Sequence, residues 1–195
     1  EAQVADCADG IAYNAHDLDD GITSELLNLQ QVRKLALWRE HEKALDQKYK
    51  NLDFKLKKYQ IVRQIINNLI TDFRQTTLKN LKANKIQSVD DVRCAKKRMA
   101  GFSALMSEKN GELKKFLHQN LYNHRKVKRM EFKSEICLTG LFKAFTANSA
   151  LLPESVQREG SHDSLQRRIC DYISGMTDRY AISEYKKLYS PGEKD

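Results

Sequence analysis

Four aspartates and a tyrosine near the start of the chain recur every three or four residues. They are Asp6, Asp9, Tyr13, Asp17 and Asp20. At about 100° per residue of an α-helix, all five fall within roughly 80° of arc. Grouped carboxylates are natural ligands for a hard or borderline divalent cation, and a phenol beside them suits stacking on a ligand or hydrogen bonding to it. The pattern indicates a candidate metal or ligand site on one helix face.

The same pattern is also typical of a helix face that is simply exposed to water. Apolar residues occupy the other side of the wheel, as in any amphipathic surface helix: Val4, Ile11, Ala15, Leu18 and Ile22. Against this interpretation, like charges one turn apart repel each other, and aspartate is a poorer helix former than glutamate. Periodicity alone leaves both interpretations open.

The elements that would position these residues are all helical. Apolar residues at helical spacing predict helices over residues 2–19, 54–83, 103–124, 127–147, 164–174 and 178–189. Asp19-Asp20-Gly21 is expected to end the first helix, residues 24–50 carry a broken helical pattern, and a capped short turn is expected at 88–91. Residues 148–163 are expected to form a loop. The predicted fold class is all-α, a bundle with long helices.

Composition limits the class of protein further. The chain is 41% hydrophobic and 31% charged, which suits a folded, helix-rich soluble protein, and no apolar run approaches the ~20 residues of a membrane helix. The four cysteines form no CxxC pair and are expected to be reduced thiols in a cytoplasmic protein. The net charge of +8 permits binding to nucleotides or nucleic acid, although a Lys-rich surface that only confers solubility explains it equally well.

The opening segment EAQVADCADGIAYNAHDLDDG, residues 1–21, resembles the segment EAQ-ADxADEIAYNxHDxDDG of bacterial dGTPase-like proteins, which belong to the HD-domain phosphohydrolases. Three later blocks resemble the same family in the same order, at residues 62–72, 114–130 and 171–185. The resemblance spans nearly the whole chain. It implies an HD-domain-like helical fold and metal-dependent hydrolysis of a deoxynucleoside triphosphate to deoxynucleoside and inorganic triphosphate.

The resemblance also implies roles for individual residues. In that family a histidine, a His-Asp pair and a later aspartate hold the metal, and the later aspartate corresponds to Asp9. Tyr13 matches a tyrosine beside the deoxyribose, and Asp17 matches a carboxylate that contacts the sugar hydroxyl. His16-Asp17 is not the name-giving pair, because the family's pair precedes this segment.

We therefore expect residues 1–22 to be the last metal-site helix of an HD domain and residues 23–195 to be the C-terminal helical region. The chain is expected to begin inside a longer protein that carries the other ligands. Because ligand number and geometry set metal affinity, the chain alone is expected to be inactive. The implied cofactor is a divalent metal: Mg, Mn, or another transition metal such as Fe, Co or Ni.

Further residues and partners complete the expectations. Lys58 and Arg63 are candidate phosphate partners, and His16 is a candidate proton carrier, with a structural hydrogen bond as the alternative role. The expected partners are a deoxynucleoside triphosphate, further copies of the chain in a homo-oligomer, and single-stranded nucleic acid; no membrane is expected. The alternative function is a catalytically inactive helical module for nucleotide binding or oligomerisation.

Overall fold

A computed structural model describes residues 1–157 and 164–193. Every regular element in these two ranges is helical, which confirms the all-α class. The α-helices are α1 (Ala2–Thr23), α2 (Leu29–Val32), α3 (Ala36–Lys48), α4 (Phe54–Ala83), α5 (Val89–Cys94), α6 (Ala104–Leu117), α7 (Arg125–Ala147), α8 (Glu154–Gln157), α9 (Leu165–Ser174) and α10 (Asp178–Tyr189). A π-helical turn, His118–Tyr122, follows α6, and a 3-10 turn, Ser149–Leu151, follows α7.

Side-chain caps set several helix boundaries. Asp53 accepts hydrogen bonds from the first turn of α4, which begins and ends where periodicity predicts. Ser88 and Asp91 form a reciprocal capping box on α5, which confirms the capped turn expected there. Thr177 caps α10 in the same way as Ser103 caps α6. Each of these polar caps is a short-range contact between a side chain and the first turn of its helix.

The expected end of the first helix at Asp19-Asp20-Gly21 is wrong. Helix α1 continues through Gly21 to Thr23. Gly21 is buried, and a Cβ added to it would lie 2.5 Å from Cδ1 of Leu27. This glycine therefore allows the following segment to pack closely against the helix and does not form a turn.

Two other expectations need correction. The helix expected over 103–124 changes at Leu117 into the π-helical turn. The loop expected over 148–163 contains the 3-10 turn and α8, and its residues 158–163 lie outside the described part of the chain.

The chain divides into two compact units, the first from Glu1 to His124 and the second from Arg125 onward. In the first unit, α1, α3 and α6 pack with α4 around a core that includes Trp38, Ile61, Ile65, Leu69 and Leu113. In the second unit, α7 packs with α9 and α10 around Leu141, Phe145, Leu152, Ile169 and Ala181. No described helix is both long and apolar enough to cross a membrane. The expected division of the chain at residue 22 stays a prediction.

One face of helix α1 packs into the core of the first unit. Ile11, Ala15 and Leu18 are buried as expected, and Ile22 is half-buried. Val4 lies on the same apolar side of the helical wheel but is 44% exposed. The first buried residue of α1 is Ile11. The acidic residues of the first turns therefore lie on a stretch of helix with little burial of its own.

Candidate active site

The acidic face of α1 is open along most of its length. Asp9 and Asp20 are exposed, and Tyr13 is 56% exposed. Within the described residues, Asp9 makes no hydrogen bond or ion pair with another side chain. A carboxylate in this state is free to bind a cation or a hydrogen-bond donor.

Asp17 differs from the other members of the face because it is half-buried. The Tyr122 hydroxyl donates a hydrogen bond to Oδ2 of Asp17. The Tyr13 ring lies beside this pair, its centroid 6.0 Å from that of Tyr122 at an interplanar angle of 52°. The ring of His118 meets Tyr122 edge-on at 6.3 Å. We call Tyr13, Asp17, His118 and Tyr122 the tyrosine–aspartate cluster.

The electrostatics of this cluster keep Tyr122 protonated. Burial raises the pKa of the Tyr122 phenol well above its usual value, and the hydrogen bond to Asp17 and the negative charge of that carboxylate raise it further. The Tyr122 hydroxyl therefore keeps its proton and donates it in the hydrogen bond to Asp17. One oxygen of Asp17 is engaged by this donor, which leaves the other available.

The π-helical turn positions the second half of the cluster. Leu117 and Leu121 are buried on one side of this turn, while His118 and Tyr122, four residues apart, bring their rings together. On the neighbouring part of α6, Asn110 accepts a hydrogen bond of 3.3 Å from the buried amide of Asn14 on α1. This hydrogen bond connects α1 to α6, the helix that leads into the π-helical turn. π-helical turns are frequent at functional sites.

The structure does not bring the candidate phosphate partners to the acidic face. Nζ of Lys58 lies 2.5 Å from Oδ1 of Asp19 and 2.7 Å from Oγ1 of Thr23. At about 100° per residue, Asp19 lies roughly 160° around α1 from Asp17. Arg63 is exposed, roughly 140° around α4 from Lys58. Lys58 thus supports the packing of α4 on α1 from the opposite flank.

His16 lies beside Asp9 on the helical wheel but about 10 Å further along the axis, because seven residues separate them. Its ring is exposed and outside the tyrosine–aspartate cluster. The structure adds no contact that assigns it a role, so the proton-carrier hypothesis stays a prediction.

Metal ligands do not gather within residues 1–157 and 164–193. Among the described residues, no group of three or more His, Cys, Asp or Glu side chains has a geometry that could hold a metal ion. Asp9 offers one carboxylate, a donor that suits divalent cations as a single member of a larger ligand set.

Sequence reasoning missed Tyr122 and His118 as members of the candidate site. Both lie in the block 114–130 that carries the family resemblance, which was the available signal. Helical periodicity gave no hint of them, because it predicts a continuous α-helix where the π-helical turn forms. Asp17 and Tyr122 are 105 residues apart, so only the tertiary fold reveals their contact.

Comparison with known proteins agrees with the all-helical fold. The model of the Phosphohydrolase-associated domain matches residues 100–187. The chain is 42% identical to a deoxyguanosinetriphosphate triphosphohydrolase-like protein of Geobacter sulfurreducens over 194 residues, which cover 100% of this chain and 50% of that protein.

Proteins of the same name from Bordetella pertussis and Thiobacillus denitrificans are 42% and 41% identical, over 98% and 99% of this chain and 50% and 51% of their own lengths. Over nearly its whole length the chain is therefore similar to the C-terminal half of deoxyguanosinetriphosphate triphosphohydrolase-like proteins. It spans about half the length of the curated relatives that it matches.

Proposed function

We propose that this chain forms one wall of the active site of a metal-dependent deoxynucleoside triphosphate triphosphohydrolase. The observation that carries the proposal is the arrangement on α1: an unpartnered carboxylate, Asp9, lies one turn from Tyr13 and two turns from the Asp17–Tyr122 pair. The names of the relatives support the same reaction class. The remaining metal ligands would come from the rest of the longer protein.

Asp9 would coordinate the divalent metal through a carboxylate oxygen. A bound Mg, Mn, Fe, Co or Ni ion lowers the pKa of a coordinated water and polarises the phosphate. In the proposed reaction the water oxygen bonds to the α-phosphorus, and the bond from that phosphorus to the 5′ oxygen breaks. The 5′ oxygen ends with a proton, so the products are a deoxynucleoside and inorganic triphosphate.

The tyrosine–aspartate cluster would bind the sugar. The free oxygen of Asp17 suits a hydrogen bond from the 3′-hydroxyl, while Tyr122 holds the carboxylate in place. The exposed ring of Tyr13 offers an apolar surface beside it for the deoxyribose. A site that pairs a buried polar group with a substrate hydroxyl discriminates strongly against substrates that lack the hydroxyl.

The test uses a full-length protein that contains this segment and measures the release of inorganic triphosphate with Mn²⁺. We expect Asp9→Ala to lower kcat by more than about a thousandfold, because the site loses a metal ligand and transition-state stabilisation. Tyr13→Ala, which removes the ring, and Asp17→Asn should mainly raise KM. Asp90→Ala is the matched control, since Asp90 is an exposed aspartate whose described ion pair is local, with Arg93.

Full activity of Asp9→Ala would refute the metal-ligand role. If the full-length wild-type protein binds nucleotide but releases no triphosphate, the alternative function, a helical module for nucleotide binding or oligomerisation, is supported instead. Base preference would follow from the same assay with the four deoxynucleoside triphosphates compared at equal concentration.

A further inference from the structure

The first two turns of α1 extend beyond the part of this helix that is buried in the core. Ile11 is the first fully buried residue of α1, whereas Asp6 and Asp9 are exposed. Helix ends that packing does not hold tend to fray. Within this chain, the position of Asp9 therefore depends on contacts made outside the core.

The segment between α5 and α6, residues 95–103, makes such contacts. Oε1 of Gln3 accepts hydrogen bonds from the backbone N–H groups of Met99 and Ala100, at 3.0 and 3.2 Å. Met99 and Ala100 are both 4% exposed, so water does not replace this acceptor readily. A buried backbone donor without a partner is costly, and these bonds therefore join the first turn of α1 firmly to the segment.

Arg98 adds a second connection from the same segment. Its Nη2 donates to the backbone oxygen of Gln3 at 2.9 Å and to Oδ2 of Asp6 at 2.5 Å. The guanidinium thus joins the first turn of α1 to the second. The bond to Asp6 is charge-assisted and hence stronger than a bond between neutral groups.

Helix α4 holds the other side of the segment. Asn80 donates to the backbone oxygen of Met99 at 3.0 Å, and Thr77 accepts from the N–H of Gly101 at 3.2 Å. Asp72 accepts from both the N–H and the hydroxyl of Ser103, at 2.8 and 2.6 Å. Because α4 carries much of the core, segment 95–103 is a rigid link from the core to the start of α1.

We infer that Arg98 is a positioning residue that fixes the turn of α1 carrying Asp9 and keeps the Asp6 carboxylate engaged away from the metal. Asp6 and Asp9 lie on the same face one turn apart, so both are within reach of a cation bound there. The ion pair occupies Asp6 and leaves Asp9 free. The inference rests on the proposed role of Asp9 as a metal ligand.

The experiment compares Arg98→Gln with Lys97→Gln in the full-length protein. Lys97 is the exposed neighbour in the same segment, so the control removes the same charge without removing the described contacts. We expect Arg98→Gln to raise the Mn²⁺ concentration for half-maximal activity about tenfold, as for other groups that orient a metal ligand, with kcat at saturating Mn²⁺ within about twofold. The control should change neither quantity.

Hydrogen exchange of the backbone amides of residues 5–9 provides a readout that does not depend on activity. It should become about tenfold faster in Arg98→Gln and stay unchanged in Lys97→Gln. Arg98→Lys, which keeps the charge, should recover part of the Mn²⁺ affinity, and it serves as the second variant if Arg98→Gln folds poorly.

Two results would overturn the inference. Faster exchange with unchanged Mn²⁺ dependence would mean that Arg98 stabilises the helix without positioning a ligand, and unchanged exchange would mean that the link does not hold α1. Neither result bears on the proposed function, which the Asp9→Ala variant tests. Conversely, an active Asp9→Ala variant would refute the proposed function even if Arg98→Gln exchanged faster.

Discussion

Tyr122 connects two parts of the chain that are distant in sequence. Its hydroxyl donates to Asp17, and its ring lies between those of Tyr13 and His118. An engaged carboxylate keeps a fixed orientation, whereas a free one on a helix surface samples several rotamers. If Asp17 binds the sugar hydroxyl, Tyr122 prepares it for that contact before the substrate arrives.

We predict that Tyr122→Phe raises KM for the deoxynucleoside triphosphate about tenfold, with a smaller change in kcat. The loss of one hydrogen bond to a charged group corresponds to about 1.5 kcal/mol, which is close to a tenfold change in affinity. The phenylalanine ring keeps the aromatic packing, so the fold should be retained. Steady-state kinetics of the full-length protein measure the change.

The pH dependence of this variant gives an independent check. Because the folded pKa of Tyr122 is raised, its contribution to stability is fully present below the unfolded value of about 10 and is lost only as pH rises above it. The ratio of wild-type to Tyr122→Phe activity should therefore be constant between about pH 6 and 9. A ratio that falls within this window would show that the hydroxyl ionises there and would contradict the prediction.

At the scale of single residues, the sequence indicated three of the five residues of the candidate site. Asp9, Tyr13 and Asp17 follow from helical spacing and the family resemblance, because they lie on one continuous helix. Tyr122 could not be found in this way, because its contact with Asp17 depends on the packing of α6 and the π-helical turn against α1. The pairing of Lys58 with Asp19 could not be found from the sequence for the same reason, and its role as a phosphate partner stays a prediction.

At the scale of elements, the apolar repeats predicted the long helices well. Helix α4 was located at both ends, since its apolar stripe is regular and Asp53 supplies a cap at its start. The end of α1 was predicted too early because glycine occurs both in turns and at close packing contacts, and the local sequence does not distinguish the two. Gly21 forms a close packing contact. The π-helical turn was missed because it keeps the apolar pattern of the preceding helix.

The contact between α3 and α4 contains a pH-sensitive group. Burial lowers the pKa of His41, Glu40 raises it in part, and Lys109 lowers it again. Nδ2 of Asn68 on α4 lies 3.2 Å from Nε2 of His41, a distance at which the neutral ring nitrogen accepts the amide proton. Protonation would cost this hydrogen bond and place a charge in a partly dry position.

We predict that acidification destabilises this contact. Since the folded pKa of His41 is depressed, its stabilising contribution is present above the unfolded value of about 6.5 and is lost as pH falls through the folded pKa. The urea midpoint of the wild-type chain should therefore fall between pH 7.5 and 5 by more than that of His41→Gln, which stays neutral. Parallel pH profiles for the two proteins would contradict the prediction.

At the scale of the whole molecule, the described residues form two hydrophobic clusters, one in each unit. The first cluster lies entirely at or before Tyr122, and the second lies entirely at or after Cys137. The matched Phosphohydrolase-associated domain begins at residue 100 and therefore includes α6 of the first unit as well as most of the second. Family boundaries and packing boundaries thus differ in this chain.

We predict that the two units lose stability independently when their cores are truncated. Ile65, at the centre of the first core, is 0% exposed, and Phe145 of the second is 1% exposed. Ile65→Ala and Phe145→Ala should each cost about 3 kcal/mol in the free energy of unfolding of their own unit, from lost burial and the cavity left behind. Native-state hydrogen exchange of the 195-residue chain resolves the two units: each variant should lose protection in one range and keep wild-type protection in the other. Loss of protection throughout the chain in either variant would show that one cooperative core, and not two, holds this protein together.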